Sequence, residues 1–134
     1  MILIDTSAWV EFLRDTASTE ADCVQDLLET GASVACCDPV RMELFAGARD
    51  ERQLTGLHRL LARTYTLPTT PADFDAAAAY FRACRARGTS VRRTTDCLIA
   101  SVAISNDVPL LHCDRDFDAL AAATPLVCHP PRVP

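Results

Sequence analysis

The sequence contains no lysine, and this absence excludes several familiar kinds of site. All 13 of its Lys/Arg residues are arginines. A phosphate-binding loop, a Schiff-base enzyme and a phospho-receiver domain of the usual kind all use a lysine. Aspartate and glutamate number 18, so the net charge is −5 and no general positive field attracts nucleic acid. Contact with nucleic acid would therefore need a local cluster of arginines.

The chain also has no long apolar run and no paired cysteine motif. The first apolar run stops at Asp5, far short of a signal peptide, and no run reaches the roughly 18 residues of a membrane span. The seven cysteines include no C-x-x-C pair, and an odd number suits a reducing compartment better than a disulfide framework. We therefore expect a cytoplasmic protein without a membrane segment.

Glycine is scarce, and the composition is that of a folded domain. With four glycines and an apolar fraction of 49%, the 134 residues are neither a linker nor a disordered tail. We expect one domain over 1–134, of which about 129–134 form a loose Pro-rich tail. Short apolar strands alternate with helices, which predicts an α/β sandwich with a mostly parallel sheet. The predicted strands are 2–4, 33–37, 65–67, 110–113 and 126–128.

Two of the predicted helices differ in their apolar pattern. The helix over about 72–87 is expected to bury a stripe made of Phe74, Ala77, Ala78, Phe81 and Cys84. The helix that follows Thr94 and Thr95 is apolar almost all round, which predicts a central position.

Four acidic residues stand at the ends or on the inward faces of predicted elements. Asp5 ends the first strand, and Asp114 follows the strand over 110–113. Asp96 lies in the first turn of the apolar helix, and Glu43 lies on the apolar side of the helix that begins at Asp38-Pro39. Ligands bind outside the carboxyl ends of the strands in an open parallel sheet, where these residues are expected to meet.

Each of these acids also has a structural explanation. Asp5 and Asp114 would serve as helix N-caps, and Asp96 would complement a helix N-terminus. Glu43 would pair with an arginine such as Arg41 or Arg63. Together, however, the four carboxylates would repel one another unless a cation lay between them. A ligand set made of oxygen atoms, without histidine or cysteine, favours Mg²⁺ or Mn²⁺. An ion of this kind activates water and stabilises charge at a phosphoryl group.

The motifs around these residues resemble those of a known family. Residues 2–9 (ILIDTSAW), 41–44 (RMEL), 96–100 (DCLIA) and 114–117 (DRDF) are similar, in order and spacing, to the motifs of PIN-domain ribonucleases. More narrowly, the chain resembles the VapC toxins of bacterial type II toxin–antitoxin pairs. The resemblance extends over nearly the whole sequence, and it implies a three-layer α/β/α sandwich.

The resemblance also implies a site, a reaction and partners. Asp5, Glu43, Asp96 and Asp114 would form the metal-binding quartet, with Asp116 as a fifth member. The cofactor would be Mg²⁺, with Mn²⁺ as a substitute, and the reaction would be hydrolysis of structured RNA of the translation machinery (tRNA or rRNA). The partner would be a VapB-type antitoxin whose C-terminal segment blocks the acidic groove, and the toxin would be a homodimer.

Five further residues receive auxiliary roles, each with a structural alternative. Arg92 and Arg93 end a run of five arginines beside Asp96, so they either bind RNA phosphates or form part of a solvated helix face. Many relatives have Thr or Ser where this chain has His112, which is expected to donate to phosphate or water, or else to bond to the backbone. Thr6 and Ser7 would orient Asp5 or a water, or cap a helix.

Two other classes of function remain open at this point. The acidic pocket would also suit a metal-dependent DNA nuclease or a phosphatase. Phosphatases with an aspartyl nucleophile have a second aspartate two residues after the first, where this chain has Ser7. The chain would alternatively be a non-catalytic PIN-fold module that binds protein. Four intact carboxylates oppose that interpretation, because unbalanced buried acids cost stability.

Overall fold

The computed structural model describes residues 1–130, which form a parallel sheet flanked by helices. The elements in chain order are β1 (Ile2–Ile4), α1 (Thr6–Leu13), α2 (Thr19–Glu29), β2 (Val34–Cys37), α3 (Asp38–Ala46), α4 (Glu51–Leu61), β3 (Tyr65–Leu67), α5 (Pro71–Ala86), α6 (Thr94–Ser105), β4 (Leu110–Leu111), α7 (Arg115–Ala123) and β5 (Cys128–His129).

The sheet has the strand order β3-β2-β1-β4-β5, and every neighbouring pair is parallel. Leu3 in β1 is opposite Ala35 in β2 and Leu110 in β4, so β1 is the central strand. Helices cover the sheet, and the apolar side chains of its central strands are therefore buried. The predicted α/β sandwich is confirmed, and the carboxyl ends of β1 and β4 lie side by side.

The helices that follow these strands begin at acidic caps. The Asp5 carboxylate accepts from the backbone of Ser7 and caps α1, and the Asp114 carboxylate accepts from the backbone of Asp116 and caps α7. Thr6 and Ser7 are the first residues of α1, so the prediction that they cap this helix is wrong. Both acids are thus fixed at the edge of the sheet by the turn that starts the next helix.

The long helix α5 packs against α6, and its predicted apolar stripe is confirmed at Ala77 and Cys84 but is wrong at Phe74. Asp73, Ala77 and Cys84 are buried, whereas Phe74 is 59% exposed. The capping box of α5 explains the difference, because the Asp73 carboxylate accepts from the backbone of Thr70 and is held against the core. The central position predicted for α6 is confirmed by its buried residues, which run almost continuously from Asp96 to Ala103.

The C-terminal end of the described chain differs slightly from expectation. The last strand starts at Cys128 instead of 126 and includes His129, which was expected to begin the loose tail. The remainder of that predicted tail, 131–134, lies outside the described residues. Within the described residues, no helix has both the length and the apolar character needed to cross a membrane.

Candidate active site

The predicted acidic residues meet beside a pocket at the carboxyl edge of the sheet. Asp5, Glu43, Asp96 and Arg93 are among the residues that line this pocket, whose volume is about 350 Å³. Asp114 and Asp116 adjoin it, because a carboxylate oxygen from each of them lies within 4.8 Å of one from Asp96. The structure therefore brings together all five carboxylates named from the sequence.

Asp5 is held by hydrogen bonds to one of its oxygens only. The hydroxyl and the backbone N–H of Ser7 both donate to Oδ2 of Asp5, while Oδ1 is buried without a hydrogen-bond partner among the described residues. Burial raises the pKa of Asp5 to about 6, despite the hydrogen bonds from Ser7. The Ser7 hydroxyl also accepts from the backbone N–H of Cys113, which ties Asp5 to the loop after β4.

Glu43 is positioned from α1 by a hydroxyl group. The Thr6 hydroxyl donates to Oε1 of Glu43 over 2.8 Å. Arg41 lies over the ring of Phe45, and Arg63 contacts the carbonyl of Leu28. Neither arginine forms the ion pair with Glu43 that was proposed from the sequence. Within residues 1–130, the cation nearest to Glu43 is Arg93, at 3.7 Å.

Asp96 is a buried carboxylate close to other carboxylates. It is only 2% exposed, and its Oδ2 has no hydrogen-bond partner in the described part of the chain. Burial, opposed by Arg93 and reinforced by Asp5, Asp114 and Glu43, raises the pKa of Asp96 to about 7. A nearby cation would stabilise the ionised form of Asp96.

Arg92 joins the last two carboxylates. Its Nη2 donates to both oxygens of Asp114 at 3.0 Å, and its Nε donates to Oδ2 of Asp116 at 2.9 Å. Burial alone would raise the pKa of Asp116, but the hydrogen bonds from Arg92 outweigh it and lower that pKa. Arg92 thus holds Asp114 and Asp116 together as a fixed pair.

Arg93 lies among three carboxylates at longer distances. Its guanidinium nitrogens are 3.7 Å from Glu43, 3.8 Å from Asp96 and 3.9 Å from Asp114. All three distances exceed those of hydrogen bonds, so these contacts are ion pairs only. The side chain is 57% exposed, so Arg93 approaches the pocket from its open side.

These residues fit a divalent cation. Asp5 and Asp96 each keep a buried oxygen without a hydrogen-bond partner among the described residues, and neighbouring carboxylates raise the pKa of both, so an added positive charge would stabilise their ionised forms. The donor set consists of carboxylate oxygens, as Mg²⁺ and Mn²⁺ prefer.

His112 does not point into this pocket. Its ring is buried, lies 5.2 Å from that of Phe117, and accepts the backbone N–H of Asp114 at Nδ1. The expected contact with phosphate is not supported, and the alternative of a histidine bonded to the backbone is confirmed. Nε2 of the ring lies 3.6 Å from a carboxylate oxygen of Asp118.

Three residues that line the pocket, Val10, Glu11 and Cys113, were missed in the sequence. Glu11 stands six residues after Asp5, on a helix whose N-terminal end already carries a predicted site residue. Cys113 lies between His112 and Asp114, two residues that the sequence analysis had already named. Only this position in the sequence could have identified Cys113 as a residue of the pocket.

Comparisons with known proteins agree with this geometry. The family model described as PIN domain matches residues 2–123. Ribonuclease VapC11 of Mycobacterium tuberculosis is 47% identical over 128 residues, which cover 94% of this chain and 96% of that protein. The VapC ribonuclease Mb1587 of Mycobacterium bovis gives the same figures of 47%, 94% and 96%.

Solved structures of more distant sequence share the fold. The VapBC2 complex of Rickettsia felis, bound to a DNA fragment from its promoter, aligns with a TM-score of 0.73 at 16% identity. That alignment covers 96% of this chain and 98% of the other. VapC20 of Mycobacterium tuberculosis, a toxin that cleaves the sarcin–ricin loop, aligns with a TM-score of 0.66 at 18% identity, covering 89% and 94% of the two chains.

Proposed function

Because this chain belongs to the VapC ribonucleases of the PIN-domain family, we propose that it is a metal-dependent endoribonuclease and the toxin of a type II toxin–antitoxin pair. The observation that carries the proposal is the convergence of five carboxylates on one pocket, in which Asp5 and Asp96 each keep a buried oxygen without a partner. Such a pocket suits a divalent cation, and its open side admits a phosphodiester.

The five carboxylates are the proposed ligands of the ion, which is Mg²⁺ with Mn²⁺ as a substitute. Asp5, Asp96 and Asp114 would hold it, and Glu43 and Asp116 would complete that site or serve a second ion. An ion bound there supplies Lewis-acid chemistry, namely charge stabilisation at the phosphoryl group and a water of lowered pKa. Hydrolysis of this kind leaves a 5′-phosphate and a 3′-hydroxyl.

The surrounding side chains keep the carboxylates in place. Ser7 fixes one oxygen of Asp5, Thr6 fixes Glu43, and Arg92 fixes Asp114 relative to Asp116. Ser7 and Thr6 each donate to one carboxylate oxygen and leave the other oxygen of Asp5 and Glu43 for a cation, whereas Arg92 contacts both oxygens of Asp114. We therefore assign Thr6 and Ser7 the role of orienting residues.

The same assignment extends to partners. We propose a VapB-type antitoxin whose C-terminal segment covers the acidic pocket, since the related Rickettsia felis toxin is found in a VapBC complex. The substrate is structured RNA of the translation machinery, tRNA or rRNA, and the related VapC20 is described as cleaving the sarcin–ricin loop. The remaining proposals are that 1–134 forms a single PIN domain, that the toxin is a homodimer, and that it acts in the cytoplasm.

Cleavage of a cellular RNA pool tests the function. Purified protein free of antitoxin is incubated with Mg²⁺, Mn²⁺ or EDTA beside Asp96→Asn, and the ends of the products are mapped. The matched control is Asp26→Asn, because Asp26 is exposed on α2. We expect metal-dependent cuts at few sites with 5′-phosphate ends, retained by the control and lost in Asp96→Asn.

Other outcomes would identify the alternatives. Metal-independent cleavage or cyclic-phosphate ends would contradict the proposed chemistry. Cuts in DNA alone would make the protein a DNA nuclease. A folded, antitoxin-free protein that cleaves neither nucleic acid would be better explained as a non-catalytic binding module.

A further inference from the structure

We infer that Arg93 is an internal counter-ion of the acidic pocket that competes with the divalent metal and is drawn away by RNA phosphate, so that metal and RNA bind cooperatively. The inference rests on the proposed function, which supplies the metal and the RNA. It adds a coupling between the two ligands and assigns that coupling to one arginine.

The position of Arg93 is the first part of the argument. Its guanidinium lies within 3.9 Å of Glu43, Asp96 and Asp114, which are three of the five proposed ligands. In the described part of the chain it is also the cation nearest to Oδ2 of Asp96, which has no hydrogen-bond partner there, with Nε at 3.8 Å. A positive charge at this place neutralises the same carboxylates that a metal ion would neutralise. Arg93 and the metal therefore compete.

The weakness of these contacts is the second part. None of the three is short enough for a hydrogen bond, and 57% of the side chain is exposed to solvent. Ion pairs of exposed side chains contribute little to stability, so moving Arg93 costs little. A guanidinium that leaves the carboxylates gains two parallel hydrogen bonds when it meets a phosphate.

The neighbouring Arg92 makes different contacts from Arg93, and this difference supports the role inferred for Arg93. Arg92 donates short hydrogen bonds to Asp114 and Asp116, and its backbone N–H also donates to Asp116 at 3.3 Å. Removing Arg92 from the pocket would break all these side-chain bonds at once. The Arg92 side chain is 62% exposed, so exposure does not separate the two arginines, but the short hydrogen bonds of Arg92 do. Arg92 is therefore a positioning residue, whereas Arg93 is the one that can exchange partners.

Cooperativity follows from linkage. RNA that holds Arg93 on its phosphate removes the competitor from the pocket and tightens metal binding. A bound metal, in turn, neutralises carboxylates that repel the phosphate and frees Arg93 to contact it. Thermodynamic reciprocity requires the two effects to be equal in size.

Mn²⁺ affinity, measured by calorimetry at pH 8, tests the inference without relying on activity. Wild type and Arg93→Gln are titrated with and without a phosphorothioate 2′-O-methyl RNA hexamer, whose integrity is checked by electrophoresis afterwards. The matched control is Arg85→Gln, because Arg85 is exposed on α5 and makes no ion pair within residues 1–130.

The expected results differ among wild type and the three variants. The hexamer tightens Mn²⁺ binding by wild type at least about fivefold, the lower end of common coupling between sites. Arg93→Gln binds Mn²⁺ more tightly than wild type without the hexamer, and the hexamer tightens its Mn²⁺ binding by a smaller factor than it does for wild type. Arg85→Gln behaves as wild type. Arg93→Lys, which keeps the positive charge, retains the weaker affinity of wild type and tests the inference even where the glutamine variant folds poorly.

The inference and the proposed function fail in different ways. Equal or weaker Mn²⁺ binding by Arg93→Gln, in a preparation whose wild type binds Mn²⁺ and cleaves RNA, would overturn the inference alone. Unchanged Mn²⁺ affinity of wild type on adding the hexamer would do the same. Absence of Mn²⁺ binding by wild type would overturn the metal site of the proposed function and the inference with it.

Discussion

Two buried aspartates at the starts of adjacent helices have opposite surroundings. Asp73 in α5 is 4% exposed and Asp96 in α6 is 2% exposed, so burial does not distinguish them. Asp73 accepts hydrogen bonds from the backbone N–H of Thr70 and from the hydroxyls of Thr70, Ser101 and Ser105. Asp96 faces other carboxylates and keeps one oxygen unpartnered among the described residues.

The difference between them lies in the chemistry of their partners. Burial tends to raise the pKa of both acids, yet the donors around Asp73 lower its pKa, whereas the pKa of Asp96 rises to about 7. A carboxylate whose neighbours are donors stabilises the fold, and in this protein it joins α5 to α6. A carboxylate whose neighbours are acids needs a ligand. Partner chemistry is therefore the better guide to a functional acid.

Replacing Asp73 is expected to have the largest effect on stability. Asp73→Asn places an amide group among donors and removes charged hydrogen bonds, each worth about 1.5–3 kcal/mol. We expect a loss of about 2 kcal/mol in the free energy of unfolding, measured by urea denaturation, with RNA cleavage retained at permissive temperature. Asp75→Asn, at an exposed position of the same helix, is the control. Equal stability of Asp73→Asn and wild type would show that its hydrogen bonds add nothing.

Replacing Asp96 is expected to have a smaller effect of opposite sign in metal-free protein. Asp96→Asn removes a buried charge and supplies donors to neighbouring carboxylates, so we expect a gain of about 1 kcal/mol, near the low end for an unsatisfied group. Thermal melting in EDTA measures it, with Asp26→Asn as the control. In Mn²⁺ the order should reverse, because binding stabilises wild type by mass action. A lower melting temperature for Asp96→Asn in EDTA would contradict this account.

Several features of the site were predictable from the sequence because they depend on local pattern. A short apolar run that ends at an acid places Asp5 beyond β1, and a similar run places Asp114 shortly after β4. A parallel sheet then brings these residues together whatever the details of the helices. Asp96 was predictable for a related reason, since it interrupts the start of a helix that is otherwise apolar.

Other features depend on contacts between distant segments and were not predictable. Asp73 looked like an ordinary first-turn acid, because its donors Ser101 and Ser105 are 28 and 32 residues away. The alanines of α5 fit more than one face, so Phe74 was wrongly placed inside. Arg92 and Arg93 are adjacent in sequence and were treated alike, although the chain directs one to Asp116 and the other into the pocket.

The pH dependence of stability gives the smallest and most discriminating difference between the two aspartates. The pKa of Asp96 is raised from 3.8 to about 7 in the folded protein, so ionisation opposes folding and stability falls between about pH 4 and pH 7. The advantage of Asp96→Asn in EDTA should therefore grow over that window and then level off.

The pKa of Asp73 is lowered from 3.8, so its contribution to stability is present above that value and is lost only in stronger acid. The penalty of Asp73→Asn should accordingly stay constant from pH 5 to pH 8 and shrink below about pH 4. Melting curves of both variants and of wild type across this pH range measure the two trends. If the stability differences of both variants from wild type changed with pH in the same way, the surroundings of Asp73 and Asp96 would not give the two acids opposite pKa shifts.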